Sequence, residues 1–436
     1  MLVVKQVKFL MRIVVFVLLL VCVLLPFASL QAEEVLNWEQ CVVEARSNHP
    51  DLQSAIASIR AAEEERKIAG AGLLPSLSIQ GGVVESGYTG SGAGSPGARY
   101  SYALSLGQLI YDGGRNSRLA GAAGEGIKEA ESSSEAVSAD VRFALRAAFT
   151  SLLKAQDYVT LAADIQGRRQ RNVRLIGLRY RAGREHIGSL RKAEADLADA
   201  EFEVSRASRG LGVSRSALST AMGCGSGSAS LRVRGSFIAL EPDAPTPDFM
   251  ALAASSPLVR RLEARTRASE YALGAARSAF SPELSLSSSI GRSAVDDWNP
   301  DESEWRAGLD LVVPIYEGGS GRAGVARARA VVSREEADLK SGLHGMLDLL
   351  EERWKLYMDA RQYVAVRKKF LEAAVERAAI ANAQYSNGLI SFDDWVIIED
   401  SLVSAKKEFL NAGANLLVAE AQWIQSKGEG LDGIGE

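Results

Sequence analysis

Two hydrophobic periodicities alternate along the chain, and each predicts one kind of structure. Apolar and polar residues alternate with a period of two over about 75–112 and again over about 282–317. A glycine- and serine-rich segment interrupts the first stretch, and an acidic segment beginning at Asp296 interrupts the second. Such alternation predicts β-strands, and a polar interruption predicts the turn of a hairpin. The sequence therefore predicts two β-hairpins, each with one apolar and one polar face.

Each predicted hairpin is followed by apolar residues that are spaced alternately three and four positions apart. This spacing is typical of helices that pack side by side as a coiled coil. In the first half it predicts a long helix from Gly114 to Tyr180, about 100 Å at 1.5 Å per residue, and a second helix of about 55 Å after Gly183. The same order recurs in the second half. The stretches 37–72 and 248–280 each predict one helix before the hairpin.

The two halves repeat short phrases at a constant distance of 205 positions. A Tyr-x-x-Gly phrase, ending at Gly183 and Gly388, follows each long helix. Landmarks that share one frame predict a tandem duplication. A Tyr-acid-Gly-Gly phrase also ends each hairpin, with the tight-turn residues Tyr111, Gly113 and Gly114 in the first half and Tyr316, Gly318 and Gly319 in the second. The Gly-Lys-Ser/Thr of a phosphate loop does not follow either glycine pair, so we expect strand-to-helix turns.

The first 32 residues are typical of a secretory signal peptide. Basic residues precede an apolar run from Ile13 to Leu25, and Ala32 stands before acidic sequence. The run is short for a membrane helix, which is the alternative, and bulky residues before Cys22 disfavour a lipoprotein. The predicted division is a signal peptide over 1–32, a first repeat over 33–224, a linker over 225–247, a second repeat over 248–427 and a C-terminal tail over 428–436.

Composition and charge exclude several classes of protein. The net charge is −4 at pH 7 and becomes more negative when the basic signal peptide is removed, so we expect no nucleic-acid partner. The three histidines lie far apart, which predicts no metal site. No motif of a known enzyme is present, so we expect neither catalytic residues nor a cofactor. Whether Cys41 and Cys224, which remain after cleavage, form a disulfide stays open.

The hairpins fit a membrane barrel better than a soluble sheet. The helices have their own partners and are too long to cover the apolar strand faces, so these faces fit lipid, with the serine- and glycine-rich faces inside. Tyr100 and Trp305, near matching strand starts, are predicted interfacial aromatics. Tyr111 and Tyr316 fall on the opposite face unless a bulge intervenes. Four strands cannot close, so we expect an oligomer, with eight strands in a dimer or twelve in a trimer.

These features resemble the TolC family of outer-membrane efflux proteins over residues 34–430. The resemblance rests on the helix-to-strand turns that begin at Leu74 and Ser281 and on the repeated turn and tip phrases. It implies a membrane α+β fold and a homotrimer. In the homotrimer, a twelve-stranded β-barrel, with four strands per chain, continues into a long periplasmic α-helical coiled-coil barrel. It also implies three partners, which are a periplasmic adaptor protein, an inner-membrane pump and outer-membrane lipid.

In that family, acidic residues of the last helix pair surround a narrow periplasmic aperture. The family pattern is acid-x-x-acid after the second tip glycine. Here Asp394 matches the first acid, with Asp393 beside it, and Ile397 stands at the second place. The resemblance thus implies an aperture lined by Asp393 and Asp394, and the alternative is that both are solvated residues favoured by the helix dipole. Arg181 and Arg184, at the first tip, are candidate adaptor contacts.

The implied function is the exit duct of a tripartite efflux pump or of a type I secretion system. The alternative is a structural or adhesive outer-membrane coiled-coil protein without a through-channel, which the small, polar inner face disfavours. We interpret Arg168, Arg169 and Glu399 as solvated helix surface. The sequence leaves open the cargo (drug, metal ion or protein), the pump and adaptor, and the resting state of the pore.

Overall fold

The computed structural model describes residues 35–86, 97–225, 230–237, 245–299 and 302–433. The predicted signal peptide over 1–32 lies outside the described residues, and so do the hairpin segment over 87–96 and part of the linker. The helices, in chain order, are α1 (Trp38–Asn48), α2 (Pro50–Ala71), α3 (Arg115–Arg181), α4 (Ile187–Ala221), α5 (Phe249–Ser255), α6 (Pro257–Arg277), α7 (Ser320–Ser386) and α8 (Phe392–Ser426). The strands are β1 (Val35–Leu36), β2 (Ser76–Ser86), β3 (Gly97–Tyr111), β4 (Arg232–Val233), β5 (Glu283–Val295) and β6 (Glu302–Val312).

The long helices have the lengths that the heptad spacing predicts. α3 and α7 contain 67 residues each, and α4 and α8 contain 35 residues each. Both ends of α7 and of α8 lie 205 positions after the corresponding ends of α3 and α4. The phrases that repeat in the sequence are therefore the ends of structurally equivalent helices.

The prediction of a single helix before each hairpin is wrong, because each stretch is broken ahead of a proline. At His49 the backbone is extended (φ −69°, ψ 122°), and α2 begins at Pro50. Ser256 has the same role before Pro257. A proline ring disfavours helical geometry in the residue before it and lacks an N–H, so proline fits the first position of a helix better than its interior.

Strands β2, β3, β5 and β6 form one antiparallel sheet in that spatial order. Its register gathers the apolar positions onto one face. Ile79 lies opposite Leu104, Leu104 opposite Ile290, and Ile290 opposite Trp305, which makes one row of four large apolar side chains across the sheet. The opposite face carries mainly serine, glycine and charged residues. The two-faced character predicted for the hairpins is therefore a property of the whole sheet.

A β-bulge at the end of β3 changes the position of Tyr111. The pairing with β5 shifts between Leu109 and Tyr111, which places Tyr111 opposite Leu284. A bulge adds one residue to one strand and so reverses which face the following side chain occupies. Tyr111 consequently lies on the apolar face with Tyr100. Without the bulge, the sequence spacing would place Tyr111 on the opposite face.

The helices form a wall that keeps the lateral order of the strands. Next to the sheet the packing order is α2, α3, α6, α7, which matches β2, β3, β5, β6. Farther from the sheet, α4 and α8 take the places of α2 and α6, so the order becomes α4, α3, α8, α7. α3 is an inner helix throughout, whereas α7 lies at one edge and α2 and α4 lie at the other.

Halfway along α3, a hydrophobic core joins α1 and Leu431, which follows α8, to the wall. It contains Cys41, Leu145, Phe149 and Leu431, with Cys224 packed against it. Leu431 is fully buried, and its N–H donates to Ser138 Oγ at 3.0 Å. Leu431, which follows α8, is therefore part of this core.

Candidate functional site

The first strand-to-helix turn is a compact structure built on Asp112. Gly113 and Gly114 have φ angles of 66° and 78°, which L-residues other than glycine adopt only with strain. The Asp112 carboxylate accepts hydrogen bonds from the N–H groups of Gly114 (2.9 Å), Arg115 (3.1 Å) and Asn116 (2.8 Å). It thereby satisfies the first amides of α3. The sequence analysis missed this role, although an acid just before a helix start is a known capping signal.

The same turn also packs closely against the second half of the chain. A Cβ atom on Gly113 would overlap the Ser281 side chain. Ser278 Oγ donates to the Gly113 carbonyl at 2.9 Å, and Arg118 donates to the same carbonyl at 2.8 Å. Gly113 is therefore required for two reasons, its backbone conformation and the approach of Ser281.

The second turn has the same backbone but an open environment. Gly318 and Gly319 have φ angles of 62° and 87°, and a Cβ atom on either would meet no described atom within 4 Å. Glu317 accepts a hydrogen bond from the Ser320 hydroxyl at 3.4 Å. Tyr316 follows the end of β6 and is 86% exposed. This turn lies at the edge of the wall, whereas the first turn lies inside the wall.

The structure places the predicted helix tips at the end of the wall that lies away from the sheet. Gly183 (φ 69°) and Gly388 (φ 75°) each follow a long helix. The N–H of Arg184 donates to the Arg179 carbonyl at 2.8 Å, a hydrogen bond typical of glycine-terminated helices. Arg181 and Arg184 are exposed. Both candidate adaptor contacts are accessible.

A cluster centred on Tyr385 joins the two tips. The Tyr385 ring stacks on Trp395 with centroids 4.5 Å apart and planes 7° apart. The Arg179 guanidinium lies 4.5 Å from the centroid of the Tyr385 ring, and Arg179 donates to the Tyr385 carbonyl at 2.7 Å. The Tyr385 hydroxyl donates to Glu185 at 2.8 Å. The first tip is thus held to the second by stacking, by a cation–π contact and by hydrogen bonds.

Glu185 carries the negative charge of this cluster. Burial alone would raise the pKa of its carboxyl group, but hydrogen bonds from Tyr385, Ser189 and the His186 backbone, together with the charge of Arg179, lower that pKa below its ordinary value. Burial and the Glu185 carboxylate raise the pKa of the Tyr385 hydroxyl. Each shift favours an ionised Glu185 that accepts a hydrogen bond from a neutral Tyr385.

Asp393 and Asp394 lie in the first turn of α8, beside this cluster, and both are exposed. The N–H of Asp394 donates to Ser391 Oγ at 3.1 Å, and the Ser391 hydroxyl donates to the Asp394 carboxylate at 2.7 Å. Ile397, at the second place of the acidic pattern, is 64% exposed. The structure therefore presents two carboxylates and an isoleucine on the accessible surface of the tip.

One turn farther along α8, an ionic layer contradicts the interpretation of Glu399 as solvated surface. The Glu399 side chain is only 3% exposed and accepts two hydrogen bonds from Arg168, at 2.8 and 2.9 Å. Arg169 forms an ion pair with Asp400. Sequence spacing could not show this, because the partners are 231 positions apart. The layer joins α3 to α8, and so joins the two halves.

At the far end of the sheet, aromatic side chains gather on the apolar face. Tyr100 and Trp305 both lie on this face, but the register places Tyr100 opposite Ala294 and Trp305 opposite Ile290, four residues apart along β5. Trp298, in the β5–β6 loop, makes edge-to-face contacts with Tyr100 and Tyr102 at centroid distances of 5.7 and 5.8 Å. Trp298 was missed because loop residues carry no periodicity.

The described residues contain no group of three or more histidine, cysteine or acidic side chains that could hold a metal ion. Within the same part of the chain, no helix combines the length and hydrophobicity needed to cross a membrane.

The chain is similar to known proteins over the same two halves. A model of the family described as "Outer membrane efflux protein" matches residues 41–224 and 250–429. The chain is 25% identical to outer membrane protein OprJ of Pseudomonas aeruginosa over 183 residues, which are 40% of this chain and 37% of OprJ. It is 20% identical to the probable outer membrane lipoprotein SilC of Salmonella typhimurium over 398 residues, which are 89% of this chain and 84% of SilC.

Among solved structures, a crystal structure of CusC superimposes with a TM-score of 0.81 at 18% identity, covering 89% of this chain and 91% of that one. That likeness shows a shared fold. The family match shows more, because its two segments comprise most of the sequence and correspond to the two halves described above. The chain belongs to the outer membrane efflux protein family of TolC-type channels, and it is a protein of the outer membrane whose helices lie in the periplasm.

Proposed function

We propose that the protein is the exit duct of a tripartite efflux pump or a type I secretion system, passing substrates from a periplasmic adaptor and an inner-membrane pump to the exterior. We further infer a homotrimer with a twelve-stranded barrel, assembled from chains that arose by tandem duplication. In each chain, repeats over 33–224 and 248–427 are joined by a linker over 225–247, after removal of a signal peptide over 1–32.

The two unpaired edges of the four-stranded sheet are the observation that carries this proposal. Within the described part of the chain, β2 and β6 have no partner on their outer sides, and unpaired strand edges are prohibitively costly in lipid. The four strands alternate in direction, so β6 of one copy can pair antiparallel with β2 of the next without any break in the pattern. Three copies give twelve strands, enough to begin to leave a water-filled interior.

The edge helices support assembly into a closed ring. α7 exposes an apolar stripe at helical spacing, formed by Tyr363, Val366 and Phe370, and Phe370 is 60% exposed. At the other edge, α4 exposes Phe202 and Val213. Apolar residues on two opposite edges of one wall are typical of a surface that packs against further copies.

The face of the sheet opposite the apolar one fits a water-filled lumen. Ser287 donates to Asp310 at 2.9 Å, and Arg306 forms an ion pair with Glu304 at 3.0 Å. Small and hydrogen-bonded charged residues of this kind leave space for water. They disfavour the alternative of an adhesive protein without a channel.

At the tips we propose that Asp393 and Asp394 of three chains surround the aperture, where six carboxylates would produce a strong negative potential. The Tyr385 cluster would hold the tips in a narrow arrangement, and Arg181 and Arg184 would contact the adaptor. These roles rest on the exposure of the side chains and on the resemblance to the family. The cargo stays open, because none of the side chains described selects a drug, a metal ion or a polypeptide.

Single-channel recording of the purified protein in planar bilayers tests the proposal. We expect cation-selective channels, and we expect the Asp393→Ala/Asp394→Ala double variant to lower the cation-to-anion permeability ratio roughly threefold or more, because it removes the charges nearest to the constriction. The matched control is Glu39→Ala/Glu63→Ala, which removes two exposed acids far from the tips.

Three outcomes separate the parts of the proposal. Selectivity that is equal in the double variant and the control would leave the duct and remove the acidic aperture. Inserted protein that never conducts, even after Tyr385→Phe weakens the tip cluster, would favour the structural alternative. Failure to insert at all would overturn the membrane barrel.

A further inference from the structure

An arginine interrupts the apolar face of the sheet at one position. Arg292 of β5 lies opposite Tyr102 of β3 and Ser303 of β6, and the same row ends at Gly81 of β2. The Arg292 side chain is exposed, and no described carboxylate forms an ion pair with it. The register also places Glu85 of β2 on this face, near the end of the strand. A cation beside the large apolar side chains requires an explanation, because an arginine facing the middle of a bilayer costs about 2–4 kcal/mol.

The position of Arg292 along the sheet supplies part of that explanation. It lies eight residues from Leu284 on β5, which corresponds to about 27 Å along the strand and to about 20 Å of height at a strand tilt of ~40°. The apolar band of outer-membrane barrels is ~25 Å tall. Arg292 therefore lies near the border of that band, at the end farther from the periplasmic helices, where a charge costs little.

The surroundings of Arg292 form an open groove of about 580 Å³. Trp298 and Tyr102 line one part of it, next to Arg292. Ile79, Leu104 and Ile290 line the part nearer to the centre of the sheet. One end of the groove is thus cationic and aromatic, and the other is aliphatic.

Loop contacts hold Trp298 over this groove. Asp296, at a φ of 60°, accepts a hydrogen bond from the Ala98 N–H at 2.7 Å, and its own N–H donates to the Ala98 carbonyl at 2.7 Å. Asp297 accepts from the Asn299 N–H at 2.9 Å. The carboxylates nearest in sequence to Arg292 are therefore engaged by backbone amides, and Trp298 keeps its edge-to-face contacts with the two tyrosines.

We propose that this groove binds a phosphate-bearing lipid of the outer leaflet. Its phosphate would accept hydrogen bonds from Arg292, and an acyl chain would lie along Ile79, Leu104 and Ile290. Arginine suits phosphate because its planar guanidinium can donate two parallel hydrogen bonds, and tryptophan and tyrosine are favoured at the same depth of a membrane. The inference rests on the proposed function, since it needs the apolar face to meet lipid.

The test measures binding of bisphosphorylated lipid A to the detergent-purified assembly by native mass spectrometry. We expect Arg292→Gln to weaken binding roughly tenfold, the loss of one charge-assisted contact, and Arg292→Lys to restore part of it. Arg306→Gln is the matched control, because Arg306 lies on the opposite face in an ion pair with Glu304. Dephosphorylated lipid A should bind the wild type about as weakly as lipid A binds Arg292→Gln.

Equal affinity in the wild type and Arg292→Gln would overturn the site, and so would an equal loss in Arg306→Gln. Displacement of lipid A by millimolar inorganic phosphate would overturn it as a lipid site and leave a site for free phosphate. Channel recordings on the same preparations separate this inference from the proposed function. Arg292→Gln should conduct like the wild type, whereas a wild type that binds lipid A through Arg292 but never conducts would contradict only the duct.

Discussion

The two strand-to-helix turns have almost the same sequence and the same backbone, yet they are not equivalent. In the first, Gly113 lies against Ser281 and Asp112 caps the following helix. In the second, a Cβ atom on Gly318 would meet no described atom, and the acid is Glu317, whose carboxylate accepts a hydrogen bond from the hydroxyl of Ser320. The difference arises from position in the wall, because α3 is an inner helix and α7 an edge helix. A repeated motif therefore preserves conformation, while its neighbours decide how much of the fold depends on it.

The strongest test of this comparison replaces one glycine in each turn. Gly113→Ala should destabilise the assembly by about 3 kcal/mol, since it adds a strained φ, which costs about 1–2 kcal/mol, to an overlap with Ser281, which costs about 1–3 kcal/mol. Gly318→Ala should cost only the strain. Heat or denaturant midpoints of the purified protein give both values. Equal losses would mean that a neighbouring copy packs on Gly318 as closely as Ser281 packs on Gly113.

A smaller effect should follow from the acids of the two turns. Asp112→Ala removes the acceptor for three backbone amides and should cost about 1 kcal/mol, as for other helix caps. Glu317→Ala removes a long hydrogen bond to a hydroxyl and should change stability by less than half of that value. Denaturant midpoints decide the order. A larger effect at Glu317 would contradict the capping role assigned to Asp112.

The smallest effect concerns pH at the joined tips. The pKa of Glu185 is lower in the folded protein than its ordinary value of 4.5. Its contribution to stability is therefore present above that ordinary value and is lost as the pH falls through the lower, folded-state pKa. Acidification from about pH 6 to below pH 4 should loosen the tips, and the hydrogen-exchange protection factors of residues 382–395, which correct for the pH dependence of the chemical exchange rate, should fall.

The control for this pH effect is Glu185→Gln, which can still accept a hydrogen bond from Tyr385 but does not titrate. Protection factors in the variant should be lower than in the wild type near pH 6 and should depend less on acidification. An unchanged pH dependence in Glu185→Gln would assign the effect to groups other than Glu185.

The strongly periodic parts of the fold could be predicted from the sequence. The heptad spacing places the end of α3 within one residue of Arg181, because 67 helical residues repeat one signal many times. The two-residue alternation gives the correct faces of the strands for the same reason. The turn glycines were identifiable because few other residues tolerate their φ angles.

What the sequence analysis missed depends on single residues or on distant contacts. The breaks at His49 and Ser256 carried a signal, the following proline, which was overlooked. The bulge before Tyr111 and the packing of Trp298 carried no periodic signal. The pair of Arg168 with Glu399 depends on helices that are far apart in sequence. For the proposed groove, Arg292 stood out from its strand only when the register set it among apolar neighbours.

The burial of Leu431 has a consequence for how the chain reaches its final state. Its carbonyl accepts a hydrogen bond from Arg46, 385 positions earlier, and its side chain fills a core shared with α1 and the middle of α3. A polypeptide that enters the periplasm from its N-terminus cannot complete this core until Leu431 has crossed the inner membrane. This core is therefore completed only after Leu431 has reached α1 and the middle of α3.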